Sequence, residues 1–396
     1  MPDDLSPAPA SPRLAVTRLT VTRFRSYDNA RLEIDPRPVV LTGPNGAGKT
    51  NLLEAVSFLA PGRGLRRAKL SEVERLQPPG ADDWQGRGWA VAARVETPRG
   101  VVEIGTGRDP ATTEGERRLV RIDGQPAKSQ MALADHVSVV WLTPQMDRLF
   151  VEGASGRRRF LDRLVFGFDP AHAGRLTQYE NALRERARLL RDGTATGRGG
   201  DPAWLGALED RMATTGIAVA AARADTVRRL NEAAGQGVGP FPVPHLSLAG
   251  EVDSWIGEMP ALAAEDALRA ALARSRRQDE AMGGAAIGPH RSDLSVIFTA
   301  KNLPAELGST GEQKALLIAI VLANARLMNA ETGTAPLLLL DEVAAHLDPG
   351  RRTALFQEIL AARSQAWMTG TDASVFAELA DRAHHLTVAD GRIAPT

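Results

Sequence analysis

An apolar run, Val39–Leu41, leads directly into Gly43-Pro44-Asn45-Gly46-Ala47-Gly48-Lys49-Thr50, and Asn51–Leu59 then reads as a helix. No other stretch of the chain constrains its fold as tightly. The octapeptide fits G-x-x-x-x-G-K-[ST], and a strand before it with a helix after it is the setting in which that pattern wraps a phosphate. Gly46 and Gly48 let backbone N–H groups turn inward, and the helix N-terminus adds its positive end. Lys49 reaches the β- and γ-phosphates and Thr50 takes Mg²⁺. The expected ligand is a nucleoside triphosphate, ATP with Mg²⁺, held by this loop and Asn51.

A second apolar run, Pro336–Leu340, stops on Asp341-Glu342 and has the composition of a buried strand. Side chains alternate along a strand, so the two carboxylates serve different partners. If this strand lies beside the phosphate-loop strand, Asp341 holds Mg²⁺ through water and Glu342 polarises the attacking water as general base. Lys49, Asp341 and Glu342 are therefore the candidate catalytic residues, with Thr50 and Asp341 as the metal ligands. Ser309-Thr310-Gly311-Glu312-Gln313 precedes a helical segment running to about Asn329. A serine hydroxyl with exposed N–H groups at a helix start forms an anion site, and the same residues also fit a capping box closed by Glu312.

Composition narrows the class. At 396 residues and 43% hydrophobic content the chain can bury more than one core. Lys plus Arg and Asp plus Glu are 48 each, so no global field draws it to nucleic acid or an anionic membrane, and any DNA site is a local basic patch. Without cysteine there is no disulfide, thiolate metal site or thiol redox chemistry, a usage compatible with a reducing cytosol. The proline-bearing residues 1–12 read as a disordered tail rather than a signal peptide. The densest late apolar stretch, Leu337–Leu340, is far shorter than a membrane span, so a soluble, cytoplasmic protein is expected.

Strand-like pieces at Leu14–Phe24, Ala30–Ile34, Val39–Thr42, Trp89–Val95, Val101–Gly105, Leu119–Ile122 and Val137–Leu142 predict a mixed sheet region. Helical periodicity follows over Arg157–Leu190 and Ala203–Ala234 around a Gly/Thr turn at Asp192–Pro202, which predicts an antiparallel helical arm, and Ala263–Gln278 offers one more helix. Strand and helix then alternate at Leu294–Thr299, Glu312–Asn329, Pro336–Leu340, Arg351–Ala362, Ala366–Thr369 and His385–Val388. The fold class is α/β. The expected division is a tail at 1–12, a first ATPase part at 13–152, a helical arm domain at 153–284 and a second ATPase part at 285–396.

The segment Ser309–Gln313 resembles the signature of ABC-type P-loop ATPases, and Ala345-His346-Leu347-Asp348 resembles their D-loop. Phe24-Arg25-Ser26-Tyr27, Thr50-Asn51-Leu52-Leu53-Glu54-Ala55, Gly156-Arg157-Arg158-Arg159-Phe160-Leu161-Asp162 and Ile287-Gly288-Pro289-His290-Arg291-Ser292-Asp293-Leu294 are together similar to the RecF family, over nearly the whole chain after the tail. That resemblance implies a two-lobed ABC-type ATPase head with an inserted helical arm. It also implies that Ser309, Gly311 and Gln313 contact the nucleotide of an opposing subunit in an ATP-dependent homodimer. Its further implications are action on duplex DNA near single-stranded gaps, loading of RecA with RecO and RecR, and weak, DNA-stimulated ATP hydrolysis. Two departures stand out. Where a switch histidine is expected the residues are Thr369-Gly370-Thr371-Asp372, so a threonine hydroxyl or backbone N–H would take over and hydrolysis should be slow. Gln145 is a candidate Q-loop glutamine, although the family resemblance places a Pro-Glu-Asp-like turn there.

Basic clusters at Arg63, Arg66, Arg67 and Lys69, and at Arg157, Arg158, Arg159 and Arg163, are the candidate DNA contacts, since guanidinium groups suit phosphate. Aromatics are 5% of residues, too few to suggest a stacking platform, so backbone and duplex shape should be read rather than bases. The competing readings are the soluble ATPase subunit of a membrane transporter and an ATP-sensing module with vestigial hydrolysis.

Overall fold

The computed structural model describes residues 13–76, 88–108, 117–195, 201–344 and 347–396. The expected tail at 1–12 and the Ala345-His346 part of the D-loop-like stretch lie outside them. In chain order the first part carries β1 (Ala15–Phe24), β2 (Tyr27–Glu33), β3 (Val39–Thr42), α1 (Lys49–Ser57), α2 (Leu70–Val73), β4 (Trp89–Thr97), β5 (Gly100–Arg108), β6 (Arg118–Ile122), β7 (Gln125–Pro126) and β8 (Val139–Leu142). Next come α3 (Ala154–Phe166), α4 (His172–Ala195), α5 (Pro202–Gly235), β9 (Pro244–Ala249), α6 (Glu251–Glu258), α7 (Ala261–Met282), β10 (Asp293–Phe298) and β11 (Leu303–Pro304). The last part is α8 (Thr310–Thr332), β12 (Leu337–Leu340), α9 (Pro349–Ala361), β13 (Ala366–Gly370), β14 (His384–Ala389) and β15 (Arg392–Pro395).

The chain packs as two compact units, one reaching Pro144 and resuming at Ala325, the other Gln145–Asn324. In the first unit, two sheets show two kinds of sequence. The antiparallel sheet, ordered β2-β1-β4-β5-β6-β7, has one wet face: along β4, Trp89, Val91, Ala93 and Val95 point inward while Ala90, Ala92 and Arg94 are exposed. The second sheet, ordered β15-β14-β3-β13-β12-β8, is parallel apart from its β15 edge, and every residue of β3, β8, β12 and β13 is buried. Strands covered on both faces have no alternation to display, so they appear in sequence as short apolar runs.

The two motif strands, whose adjacency the sequence left as a condition, do not pair directly. β3 and β12 are not neighbours; β13 lies between them, paired through Thr369–Leu41 on one side and Met368–Leu340 on the other. Pairing order is a long-range property that no local pattern encodes.

In the second unit, the helical run expected over Arg157–Leu190 is two helices, α3 and α4, separated around Gly167 and Pro170. Proline lacks the N–H that a continuing helix would need. Helices α4, α5, α6 and α7 share a core that includes Tyr179, Met212, Ile217, Val252, Leu268 and Leu272. Strand β9 and helix α6 were not expected. Strand β9 is six residues of mixed polarity after a Gly/Pro-rich stretch, and it exists by pairing with the distant β10.

Helix α8 falls where a helix over Glu312–Asn329 was expected. It is 23 residues long with a window hydropathy of 1.3, enough by length and composition to cross a membrane, but 67% of that window is buried within the protein.

Candidate functional site

The phosphate loop is shaped by glycines at positions where a side chain would collide. At Gly43 (φ +139°) a Cβ would sit 2.1 Å from the Val388 carbonyl oxygen, and at Gly48 (φ +112°) it would sit 2.7 Å from Ser26 Oγ. The crest, Pro44-Asn45-Gly46, is exposed, whereas Ala47, Gly48 and Lys49 are buried. The Lys49 ammonium donates to the carbonyls of Gly43 (2.7 Å) and Pro44 (2.8 Å), folding back across the loop it follows. Burial lowers its pKa, and the carboxylates of Glu342 and Asp341 oppose that shift. A lysine held there by weak carbonyl acceptors is readily recruited by a phosphate, which is a stronger one.

Two of the motif stretches form a clasp on α1. Arg25 makes a two-pronged pair with the fully buried Glu54 (2.9 and 2.8 Å), and Arg66 adds a third contact to the same carboxylate (3.0 Å). Asn51 donates to Ser26 Oγ (2.9 Å) and accepts from Arg66 (2.7 Å), while the Tyr27 hydroxyl donates to the Gly48 carbonyl (3.0 Å). Arg25 adopts the left-handed region (φ +53°) to reach Glu54. The Phe24–Tyr27 and Thr50–Ala55 stretches therefore belong together: one grips the helix that carries the loop. Arg66, expected as a DNA contact, is committed to this clasp, and Asn51 faces Ser26 and Arg66.

Across the sheet, Thr50 Oγ1 donates to Asp341 Oδ1 at 2.8 Å, uniting the two residues expected to hold Mg²⁺. Thr369 Oγ1, from the intervening strand, donates to the same oxygen at 2.8 Å and accepts the Glu342 backbone N–H at 2.9 Å. Glu342 itself lies at φ +55°. A glutamate in that region carries backbone strain, of a kind that concentrates at functional sites. The γ-phosphate contact was expected from a threonine hydroxyl or a backbone N–H within Thr369–Asp372, and the Thr369 hydroxyl is spent elsewhere. It ties Asp341 to the Glu342 backbone, because β13 places it between them.

No cluster of three or more metal-ligating side chains occurs among the described residues. The Thr50–Asp341 pair nonetheless fits Mg²⁺, which keeps most of its shell as water and phosphate oxygen rather than demanding a protein cage.

In the second unit, Ser309 and Glu312 close a reciprocal capping box: Ser309 N–H and Oγ donate to Glu312 Oε2 (2.8 and 2.9 Å), and Glu312 N–H donates to Ser309 Oγ (3.4 Å). Lys301 pairs with the same carboxylate and, with Ser309, lowers its pKa to about 2. Gln313 donates to the Gly308 carbonyl (2.9 Å), and Ser309, Thr310 and Gly311 are exposed at the helix start. The segment thus caps its own helix, using the N–H groups of Ser309, Glu312 and Gln313, while Thr310 and Gly311 stand exposed at the helix start. Gln145 is exposed in a single 3-10 turn, Pro144–Arg148.

The second arginine cluster departs from expectation. Arg157 pairs twice with Asp293 (2.7 and 2.8 Å) and donates to the carbonyls of Leu149, Phe150 and Glu152; Arg158 donates to the Ser292 carbonyl at 2.7 Å. Arg159 also has a partner within the fold. Nearby, Asp162 accepts both prongs of Arg223 (2.8 and 2.8 Å) and a bond with His172 (2.9 Å). Burial alone would raise the Asp162 carboxyl, but Arg223 and His172 hold it below its usual range. Arg223 also donates to the Pro289 carbonyl, and His290 Nδ1 meets the Tyr179 hydroxyl at 2.7 Å. The Arg-Arg-Arg-Phe-Leu-Asp and Gly-Pro-His-Arg-Ser-Asp runs are therefore joined as one internal network. Sequence separation hid that joining, and charge alone suggested DNA.

A better candidate for phosphate contact lies in the first unit. A cleft of about 540 Å³ is bordered by Arg63, Arg117, Arg118, Arg121 and Lys128. Arg63, Arg117, Arg121 and Lys128 are exposed, as are Arg67 and Lys69 nearby in sequence. Arg118 is instead spent on structure, donating to the carbonyls of Ala60 and Gly62 and to Gln130. This grouping escaped the sequence reading because its charges come from three separated segments.

The family described as RecF/RecN/SMC N terminal domain matches residues 15–82. A DNA replication and repair protein RecF from Mesorhizobium japonicum is 50% identical over 96% of this chain and 98% of its own length, and one from Rhizobium meliloti is 48% identical over 96% and 99%. Among solved structures, the recombination mediator protein RecF-ATP of the RecFOR pathway aligns with a TM-score of 0.83 at 22% identity, covering 98% of this chain and 99% of that one. An Smc head domain from Pyrococcus furiosus aligns at 0.54 with 16% identity, covering 97% and 96%. At those identities the structures speak for the fold, and the near-full-length relatives for descent: the chain belongs to the RecF family.

Proposed function

We propose that this protein binds ATP with Mg²⁺ at the Gly43–Thr50 loop and hydrolyses it slowly, and that ATP closes a homodimer on duplex DNA beside single-stranded gaps. The observation that carries the reading is the linked set of Thr50, Asp341, Thr369 and Glu342 bonds next to the Lys49 ammonium. Lys49 turns from its carbonyls to the phosphates, and Thr50 with Asp341 holds the metal. Bound Mg²⁺ supplies charge neutralisation at the phosphate oxygens. Glu342, its backbone anchored through Thr369, is the base for the attacking water. Ser309, Gly311 and Gln313 of a second copy complete the site, which makes the dimer the active unit. Residues 13–152 and 285–396 act as the ATPase halves around an arm at 153–284.

Duplex contact is assigned to the cleft cations Arg63, Arg117, Arg121 and Lys128, with Arg67, rather than to the committed Arg157 and Arg158. By kinship with the RecFOR-pathway protein, the dimer works with RecO and RecR to help load RecA in the cytoplasm. Nothing in the described geometry favours a transporter subunit or a vestigial module. The test is ATP turnover and DNA binding with and without gapped duplex, in the parent, in Lys49→Ala and in Arg117→Glu/Arg121→Glu. Lys49→Ala should lose turnover and ATP-dependent DNA binding together, while the double variant should lose DNA binding and keep basal turnover. Tight DNA binding by an ATP-free monomer would overturn the clamp.

A further inference from the structure

Helix α9 ends in a left-handed turn of the Schellman type. The Ser364 N–H reaches back to the Ile359 carbonyl (3.2 Å) and the Arg363 N–H to the Leu360 carbonyl (3.1 Å). The left-handed position of that turn, φ +54°, is occupied by Arg363, where glycine is the relaxed choice. A strained arginine at such a site points to a use for its side chain. Arg363 borders two cavities of about 300 and 310 Å³, and Arg13 borders both as well.

Neither guanidinium has a carboxylate partner among the described residues, and their mutual repulsion adds to burial in lowering the Arg13 pKa. Two further polar atoms here are buried without a hydrogen bond: Arg13 Nε and Thr334 Oγ1, the latter from the wall of the second cavity. Buried donors left open cost stability unless something accepts from them. Arg37 and Arg382 add positive charge to the first cavity against the single carboxylate of Asp381, and Arg37 is already paired with Asp35. The rest of the first cavity's wall is Pro36, Pro38, Ile359 and Leu360 with Ser364, whose hydroxyl is spent on the Pro336 carbonyl, whereas the second cavity adds the polar Asn329, Thr332 and Thr334.

We propose that this pair of cavities is a docking site for an acidic, partly apolar peptide segment of a partner protein, its carboxylates held by Arg13 and Arg363. Charge complementarity selects the anion, and paired guanidiniums suit carboxylates by their forked donors. The apolar side of the first cavity, the polar groups of the second and the small size of both select a peptide over a nucleic-acid backbone, whose charge is continuous and hydrated. The site is built wholly within the first unit, at residues that the nucleotide and DNA readings do not use, so it stands independently of them.

The test is fluorescence anisotropy of a fluorescein-labelled hexapeptide of alternating Glu and Leu at low salt, with inorganic phosphate and a single-stranded oligonucleotide as competitors. The parent should bind, and Arg363→Gly and Arg13→Gln should each weaken binding by about tenfold or more. Arg363→Gly should also raise Tm, since it relieves the turn, so lost binding could not be blamed on unfolding. Neither competitor should displace the peptide at matched charge. Absence of binding by the parent, binding unchanged in both variants, or equal displacement by the oligonucleotide would each overturn the proposal.

Discussion

Two polar clusters can be compared, one around Asp341 in the first unit and one around Asp162 in the second. Around Asp162 the carboxylate is closed off: Arg223 and His172 satisfy its oxygens and Arg223 also serves the Pro289 carbonyl, leaving His172 Nδ1 as a buried atom without a partner among the described residues. Around Asp341 the account is open. Lys49 rests on backbone carbonyls, Glu342 holds a strained backbone, and among the described residues the Asp341 carboxylate accepts only from threonine hydroxyls. A buried pair that satisfies itself specifies a fold, whereas charges held by neutral groups retain capacity for a ligand. Motif-like sequence marks both, so a run of charged residues does not by itself distinguish glue from chemistry.

The sharpest way to break this comparison is Arg223→Met, which strands the buried Asp162 carboxylate and should cost about 3–5 kcal/mol of stability. Urea unfolding would read the loss, and nucleotide affinity of the variant at low denaturant should stay near the parent value. An unchanged unfolding midpoint would show that the network is not structural. Lys49→Ala is the converse, with turnover falling about a hundredfold or more and Tm nearly unmoved. Should its Tm collapse instead, the open cluster would also be glue.

Thr369→Val keeps the shape of β13 but removes the tie between Asp341 and the Glu342 N–H. Turnover should fall about tenfold, the scale of one hydrogen bond to a charged group, with ATP affinity retained. Equal losses in affinity and turnover would place Thr369 in binding rather than in orienting the base.

The smallest effect concerns His290. Its Nε2 meets the Ala285 carbonyl (3.0 Å), so Nδ1 is the acceptor from Tyr179, and burial lowers its pKa to about 4 from an ordinary 6.5. A histidine depressed in the fold binds a proton more readily once unfolded. The stability it confers is therefore full above about pH 6.5 and declines as pH falls toward 4. His290→Gln should flatten the dependence of Tm on pH across that window, and an unaltered slope would assign the acid sensitivity to another group.

What could be read from the residues alone was whatever depends on local pattern. The phosphate loop was legible because a glycine-rich turn between an apolar run and a helix has few other uses. The antiparallel strands were legible as short strand-like pieces, and Ser309 with Glu312 showed a cap whose partners are three residues apart. The family resemblance also rested on such contiguous runs, and the near-full-length relatives bear it out. Pairings across long separations were decided by tertiary structure: β13 between β3 and β12, hence Thr369 against Asp341, and Arg223 against Asp162 across 61 residues. The arginines make the point most directly. Arg157 and Arg121 look alike in sequence, but one is neutralised by Asp293 from a distant strand and the other borders an open basic cleft. A charge is available to a ligand only after the fold has chosen its partners, because that choice is made by packing and not by neighbours in the chain.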